Sequence, residues 1–318
     1  MTPNAMLDWK QQWSYLSREW RAMLQPRIWV SDGMAAIAVA LVALPLSLAI
    51  ASASGVEPHV GLITAVLGGV VVAVFGGCSL QISGPAAAMT FLVYEGITKY
   101  GIGGVLIATM MAGVIQIAAG SFRLGRIMQY IPRPVIAGFL AGIGITILCT
   151  QLPVVLGYDV PHDEEGGAIG LLWATAKRFS QTQPASLIVG LLAFVLMWGL
   201  PRLSRRIPAP LIAVMAATSL PLLLKWEGVK LLGALPSGLP MPSLPQVPWQ
   251  LWNELVLFAF TVALLASIES LLSASVVRAM APEHELDNDQ ELIGQGLGNL
   301  LSAFFAGLPV TGVIARSA

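Results

Sequence analysis

The chain has 318 residues, 56% of them hydrophobic and 11% charged, with 17 basic and 17 acidic residues. Soluble domains carry about 25% charged residues, so a soluble enzyme and a disordered chain are both excluded. Zero net charge removes the electrostatic case for a nucleic-acid partner.

Residues 1–28 contain six charges and no long apolar core, so they are not expected to act as a cleavable signal peptide. Met6, Trp9, Trp13, Leu16, Trp20 and Met23 recur at alternating spacings of three and four, with Lys10, Arg18 and Arg21 off that face. A Trp-rich helix of this kind reads as an amphipathic interfacial helix; an ordinary packed helix is the alternative.

A bilayer core needs roughly 20 apolar residues per helix. Such runs predict spans near 33–54, 60–76, 85–98, 102–120, 134–152, 184–200, 208–224, 253–277 and 291–306, and a further run opens at Pro309. With a cytoplasmic N-terminus, eleven basic residues fall inside and five outside, Arg316 being left out as part of a span. The acidic run Asp163, Glu164 and Glu165 then lies outside. The proline-rich stretch 236–248 cannot be helix and reads as an external linker. Asp287 and Asp289 read as a solvated cytoplasmic loop. Cys78 and Cys149 read as small buried hydrophobes. The three histidines form neither a zinc cluster nor a haem pair, and no metal or cofactor is implied.

Residues 62–77 and 292–307 repeat each other at an offset of 230, with identities at Leu62/Leu292, Gly68/Gly298, Phe75/Phe305 and Gly77/Gly307 among others. Each block is followed by a proline opening the next run, Pro85 and Pro309. Seven spans separate the copies' starts, so the second copy is inverted, as in secondary transporters. On this count the second copy stops after two complete spans, and about four more are expected to follow.

Repeats of this kind place their sites at broken helices near the midplane. Pro85 and Pro309 are the expected helix starts. Two helix N-termini facing each other would hold an anion. Glu269 lies deep in 253–277, with Ser273 one turn on and Ser270 beside it; Arg316 is placed about two turns into the final helix. Intramembrane charges are rare and usually functional, although a Glu–Arg pair can also simply join two helices. Arg316 would attract an anion, and Glu269 would couple its binding to a proton.

The segments QISGPAAAMTF at 81–91, YIPRPVIAGFLAGIGI at 130–145, ASIESLLSA at 266–274 and GLPVTGVIARSA at 307–318 resemble the sulfate permease (SulP) family of anion transporters. The resemblance implies an all-α polytopic membrane fold of seven plus seven inverted spans with core and gate domains. The core would comprise 33–152 and 253–318, its later spans missing, and the gate with its linker 153–252. It implies a small inorganic anion bound at Ser83, Gly84, Pro85 and Ala86 on the third helix and at Thr311, Gly312, Ala315 and Arg316 on the tenth. Glu269 matches the family's acidic eighth-helix position and, with Ser273, is the candidate coupling site. Where the family's first helix often carries Pro-Gln, this chain has Pro45-Leu46, with Ser47 the nearest polar group. The sodium-using bicarbonate branch tends to have Asp on the eighth helix and no tenth-helix arginine, so Glu269 and Arg316 favour protons or exchange over sodium.

The resemblance thus implies a secondary carrier of sulfate or bicarbonate in the plasma membrane, multi-pass with a cytoplasmic N-terminus, dimeric as is common in the family, and not an enzyme. The alternatives are a nucleobase permease of the same fold, which would want more polar residues than 310–315 offers, and an anion channel.

Overall fold

The computed structural model describes residues 9–130, 133–158, 167–203, 209–226 and 251–317, with isolated positions 229, 238, 241, 242 and 245. The acidic run 163–165 and most of the linker 236–248 lie outside the described residues. The chain divides into two compact units, Met1–Ile131 with Leu235–Ala318, and Pro132–Ala234.

The first unit opens with α1 (Trp9–Met23) and α2 (Pro26–Ala53), the latter begun by a proline whose missing N–H costs nothing at a helix start. The second span is α3 (Pro58–Ile63), a π turn at Thr64–Gly68, and α4 (Gly69–Phe75). The π turn opens at a residue bonded both within its helix and outside it. The Thr64 hydroxyl donates to Val60 O at 2.8 Å and accepts the Leu308 N–H at 2.7 Å, so it serves two chain segments. Strand β1 (Ser83–Gly84) and one 3₁₀ turn (Ala87–Met89) lead into α5 (Thr90–Ser121).

Gly101 breaks α5 at φ 71, ψ 170, a backbone that a residue with a Cβ rarely adopts. A Cβ on Gly96 would lie 3.0 Å from Val105 Cγ2. In an unbroken helix those residues would stand about 13 Å apart along the axis. The chain therefore folds back at Gly101, and α5 is the hairpin of the two spans expected at 85–98 and 102–120. Against it pack α10 (Trp252–Met280) and α11 (Asn288–Phe304), with Met89, Val93, Val105, Phe258 and Val262 in a common core. Asp287 caps α11 by accepting from the Asp289 and Gln290 amides at 3.0 Å, and Asp289 is buried beside Arg126 at 3.3 Å. The expected solvated loop at 287–289 is thus a helix cap.

Helices in lipid gain little from apolar burial against one another, so small residues that admit close backbone contact carry their packing. A Cβ on Gly113 of α5 would lie 2.6 Å from Gly296 O, and one on Gly296 would lie 2.5 Å from Gly113 O. The repeat-related pair behaves alike: a Cβ on Gly298 would lie 3.2 Å from Gly68 O.

After α11 come β2 (Thr311–Gly312) and a turn of helix, α12 (Ile314–Ser317). β1 and β2 pair antiparallel, Ser83 opposite Gly312 and Gly84 opposite Thr311. The two-fold axis of such a pair carries Ser83 onto Thr311 and Gly84 onto Gly312. The repeat therefore runs through these hydroxyl-glycine pairs and not through Pro85 and Pro309. Neither proline starts a helix. The helical turns begin at Ala87 and Ile314, and Ala86, between Pro85 and the first of them, is extended (φ −117, ψ 142). Arg316 accordingly stands in the first turn of α12, not two turns in.

The second unit holds α6 (Arg133–Leu156), α7 (Gly167–Lys177), α8 (Pro184–Leu203) and α9 (Ala209–Leu224). The Tyr158 hydroxyl donates to Thr175 O at 2.9 Å, fixing the end of α6 on α7. Residues 133–152, expected in the core, fall in this unit. α7 lies where no span was expected. Among the described residues, α2, the second span, α8 and α10 are each long and apolar enough to cross a membrane, as is the stretch that holds the α5 hairpin.

The Gly113–Gly296 crossing has no room for a side chain. Gly296→Val is expected to cost about 1–3 kcal/mol and to lower the thermal midpoint of the detergent-solubilised protein. Gly138→Ala, with no atom within 4 Å of the new Cβ, does not lower it. Equal midpoints for Gly296→Val and wild type would contradict the close crossing.

Candidate functional site

The strand pair brings most of the expected site residues together. Ser83 Oγ accepts from Gln295 Nε2 at 2.8 Å. A Cβ on Gly84 would overlap Arg316 Nη1, so the absence of a side chain at Gly84 lets the guanidinium lie where it does. Pro85 O accepts from Arg316 Nη2 at 3.4 Å, and Ala86 is buried at the start of the 3₁₀ turn. The Gly312 N–H donates to Ser270 Oγ at 3.0 Å, which ties β2 to α10. Thr311 is buried beside the Glu269 carboxyl, yet its hydroxyl and Glu269 Oε2 are both without a hydrogen-bond partner. Ser273 is buried on α10, also with an unpartnered hydroxyl. Ala315 is placed in α12 by its backbone.

Arg316 is 6% exposed. Its Nη2 donates to Ser47 Oγ at 3.0 Å, and its Nε has no partner. The ion pairs among the described residues are Arg18–Glu285, His59–Glu57, Lys99–Glu254 and Arg126–Asp289, so Arg316 and Glu269 are not paired with each other. Ser47, which follows the atypical Pro45-Leu46, is a direct partner of the arginine.

Sequence reasoning passed over the polar stripe of α11. Glu291, Gln295, Asn299 and Ser302 recur at helical spacing within an otherwise apolar run, and that spacing was the available signal. Asn299 accepts the Val310 N–H at 2.6 Å and donates to Val310 O at 3.2 Å and to Gln116 Oε1 at 2.7 Å. Gln116 in turn donates to Ser267 of α10 at 3.2 Å. The Ser302 hydroxyl donates to Leu308 O at 2.7 Å. Glu291 accepts from Gly77 N at 2.9 Å and from Gln295 at 2.8 Å.

α1 docks at the far end of this stripe. The Tyr15 hydroxyl donates to Gly77 O at 2.9 Å, Gln12 to Asp287 at 2.7 Å and the Trp20 indole to Val74 O at 2.7 Å. Burial raises the Tyr15 phenol above its ordinary range and pushes the Cys78 thiol up to about 11, so both stay protonated at neutral pH. Trp13 remains 64% exposed.

A repeated span, an extended break and a short helix, met by an inverted copy of the same, define an inverted-repeat transporter fold. The chain belongs to the sulfate permease family, whose sequence model matches residues 30–318. It is 33% identical over 291 residues to the putative sulfate transporter YvdB of Bacillus subtilis, covering 90% of this chain and 54% of that one. It is 33% identical over 297 residues to the bicarbonate transporter BicA of Picosynechococcus sp., covering 88% and 51%. The chain thus spans about half the length of these curated relatives. The solved transmembrane domain of a cyanobacterial BicA superposes with TM-score 0.83 at 30% identity, over 92% of this chain and 77% of that one. SLC26A9, at 18% identity and TM-score 0.79 over 94% and 51%, shares the fold.

Asn299 is the brace of the segment entering β2. Asn299→Ala strands the Val310 amide, at a cost of about 1–3 kcal/mol. Amide exchange of residues 308–312, followed by mass spectrometry, is expected to quicken at least tenfold. Exchange at the wild-type rate would show that the brace does not hold this segment.

Proposed function

We propose that the protein is a secondary active transporter of inorganic anions, sulfate or bicarbonate, binding its substrate between the broken third and tenth helices. The single observation that carries this reading is Arg316: a buried guanidinium, one of its nitrogens unpartnered, with no carboxylate paired to it among the described residues. An oxyanion supplies what such a group lacks, namely a charge and lone pairs in guanidinium geometry. The Thr311, Ser273 and Ser83 hydroxyls stand ready as further donors. The names of the relatives, sulfate and bicarbonate transporters, support the same substrate class and favour it over a nucleobase.

Glu269 is the proposed coupling residue, with Ser273 beside it. An ionised carboxylate near the anion repels it, and protonation removes the repulsion, so proton and anion bind with positive coupling. Sodium is the less favoured coupling ion. The anion-holding part is proposed to move against a gate, by rocking or by an elevator motion, in a plasma-membrane protein with a cytoplasmic N-terminus. The exposed Trp13 supports an interfacial place for α1. A homodimer is the proposed assembly, by family resemblance alone.

The full-length protein in proteoliposomes tests this reading through labelled sulfate and labelled bicarbonate uptake, each measured with and without an inward proton gradient. One of the two is expected to enter, faster at acid external pH. In Glu269→Gln, which is permanently neutral, uptake is expected to lose that pH dependence. A pH profile like that of wild type would remove Glu269 from coupling, and no uptake of either anion would overturn the substrate class.

A further inference from the structure

Glu291 does not touch the proposed anion site, yet its carboxylate fixes the sense of a hydrogen-bond chain that reaches it. Glu291 and Gln295 are fully buried, and Ser83 is 5% exposed. Glu291 Oε2 accepts from the Gly77 N–H at 2.9 Å, and the Cys78 amide also faces this carboxylate. Its Oε1 accepts from Gln295 Nε2 at 2.8 Å, and the same nitrogen donates its second hydrogen to Ser83 Oγ at 2.8 Å. The Gln295 NH2 group thus faces both Glu291 and Ser83, the sense that an ionised Glu291 requires, and its Oε1 is left buried without a partner. A serine hydroxyl that accepts from an amide keeps its own proton to donate elsewhere.

We propose that Glu291 is a positioning residue for anion binding: through Gln295 it holds the Ser83 hydroxyl as a donor aimed at the substrate. This rests on the reading that Ser83 belongs to the anion site. The chain of groups has a definite polarity, from the Gly77 N–H and the Gln295 amide toward Glu291, and from Gln295 toward Ser83. The substitution Glu291→Gln reverses it without changing shape. The Gly77 N–H keeps the new carbonyl oxygen at the Oε2 position. The new NH2 then faces Gln295, which must turn its own oxygen toward both neighbours. The Ser83 proton is drawn to that oxygen and lost to the anion.

The test measures KM and maximal rate of anion uptake by the full-length protein in proteoliposomes, normalised to inserted protein. The variants are Ser83→Ala, Glu291→Gln, Gln295→Met and the double variant Glu291→Gln with Ser83→Ala. Loss of a hydrogen bond to a charged ligand predicts a KM raised about tenfold in each single variant, with the maximal rate retained. The double variant is expected to match Ser83→Ala, because both changes remove one donor. A raised KM in Ser83→Ala beside wild-type KM in Glu291→Gln overturns the positioning role and leaves the site reading intact. Additive effects in the double variant also overturn it, since Glu291 would then act by another route. Wild-type KM in Ser83→Ala removes Ser83 from the site, and the inference with it. If Glu291→Gln does not fold, Gln295→Met decides: wild-type KM there contradicts the chain.

Discussion

Moving an ionised group from water into a low-dielectric interior costs several kcal/mol even after the surroundings relax. Arg316 bears that cost with two neutral acceptors, Ser47 Oγ and Pro85 O, and leaves its Nε unsatisfied. Guanidinium groups stay protonated in proteins, so the charge cannot be shed. Several features of the first unit follow from keeping this charge in place. Gly84 is side-chain-free where the guanidinium lies. β1 and β2 pair so that the arginine of one repeat reaches the broken helix of the other. On the proposed function, the anion completes the charge balance that the protein leaves open.

The two repeats support the strand pair by different means. At the offset of 230, Glu291, Gln295 and Asn299 correspond to Gly61, Ala65 and Gly69. In the second copy these positions are polar and hold Ser83 and Val310 through hydrogen bonds. In the first copy they are small and lie against backbone: a Cβ on Gly69 would stand 2.9 Å from Ser83 O, and one on Gly84 would stand 3.6 Å from Ala65 Cα. One side of the site is thus set by close packing and the other by a directional network. Hydrogen bonds in a buried network polarise and orient one another, which gives single atoms in α11 leverage over the site.

Much of the architecture was legible because membrane spans announce themselves by length and hydropathy. The spans, the repeat at 62–77 and 292–307, and the intramembrane charges Glu269 and Arg316 all came from residue type and position. The helix starts did not. Proline has a φ suited both to a first helical turn and to extended chain, so Pro85 and Pro309 could not say which they open. Two-residue strands have no periodicity to detect, and β1 and β2 exist only through their pairing. The α11 stripe escaped for a different reason: comparing the copies for identity looks past the positions where they differ, and the bracing residues are among those. Ser47 was visible as a departure from the family's pattern, but its bond to Arg316, far off in sequence, needed the fold.

The most direct measurement is the thermal midpoint of the purified full-length protein and of Arg316→Met, each with and without sulfate or bicarbonate. If Arg316 is an uncompensated charge kept for a substrate, one of these anions raises the wild-type midpoint and neither raises that of Arg316→Met. The variant without anion is then at least as stable as wild type, because a costly charge has gone. An Arg316→Met protein that is markedly less stable without anion, or one that anions stabilise as much as they do wild type, would make the arginine structural and contradict the account.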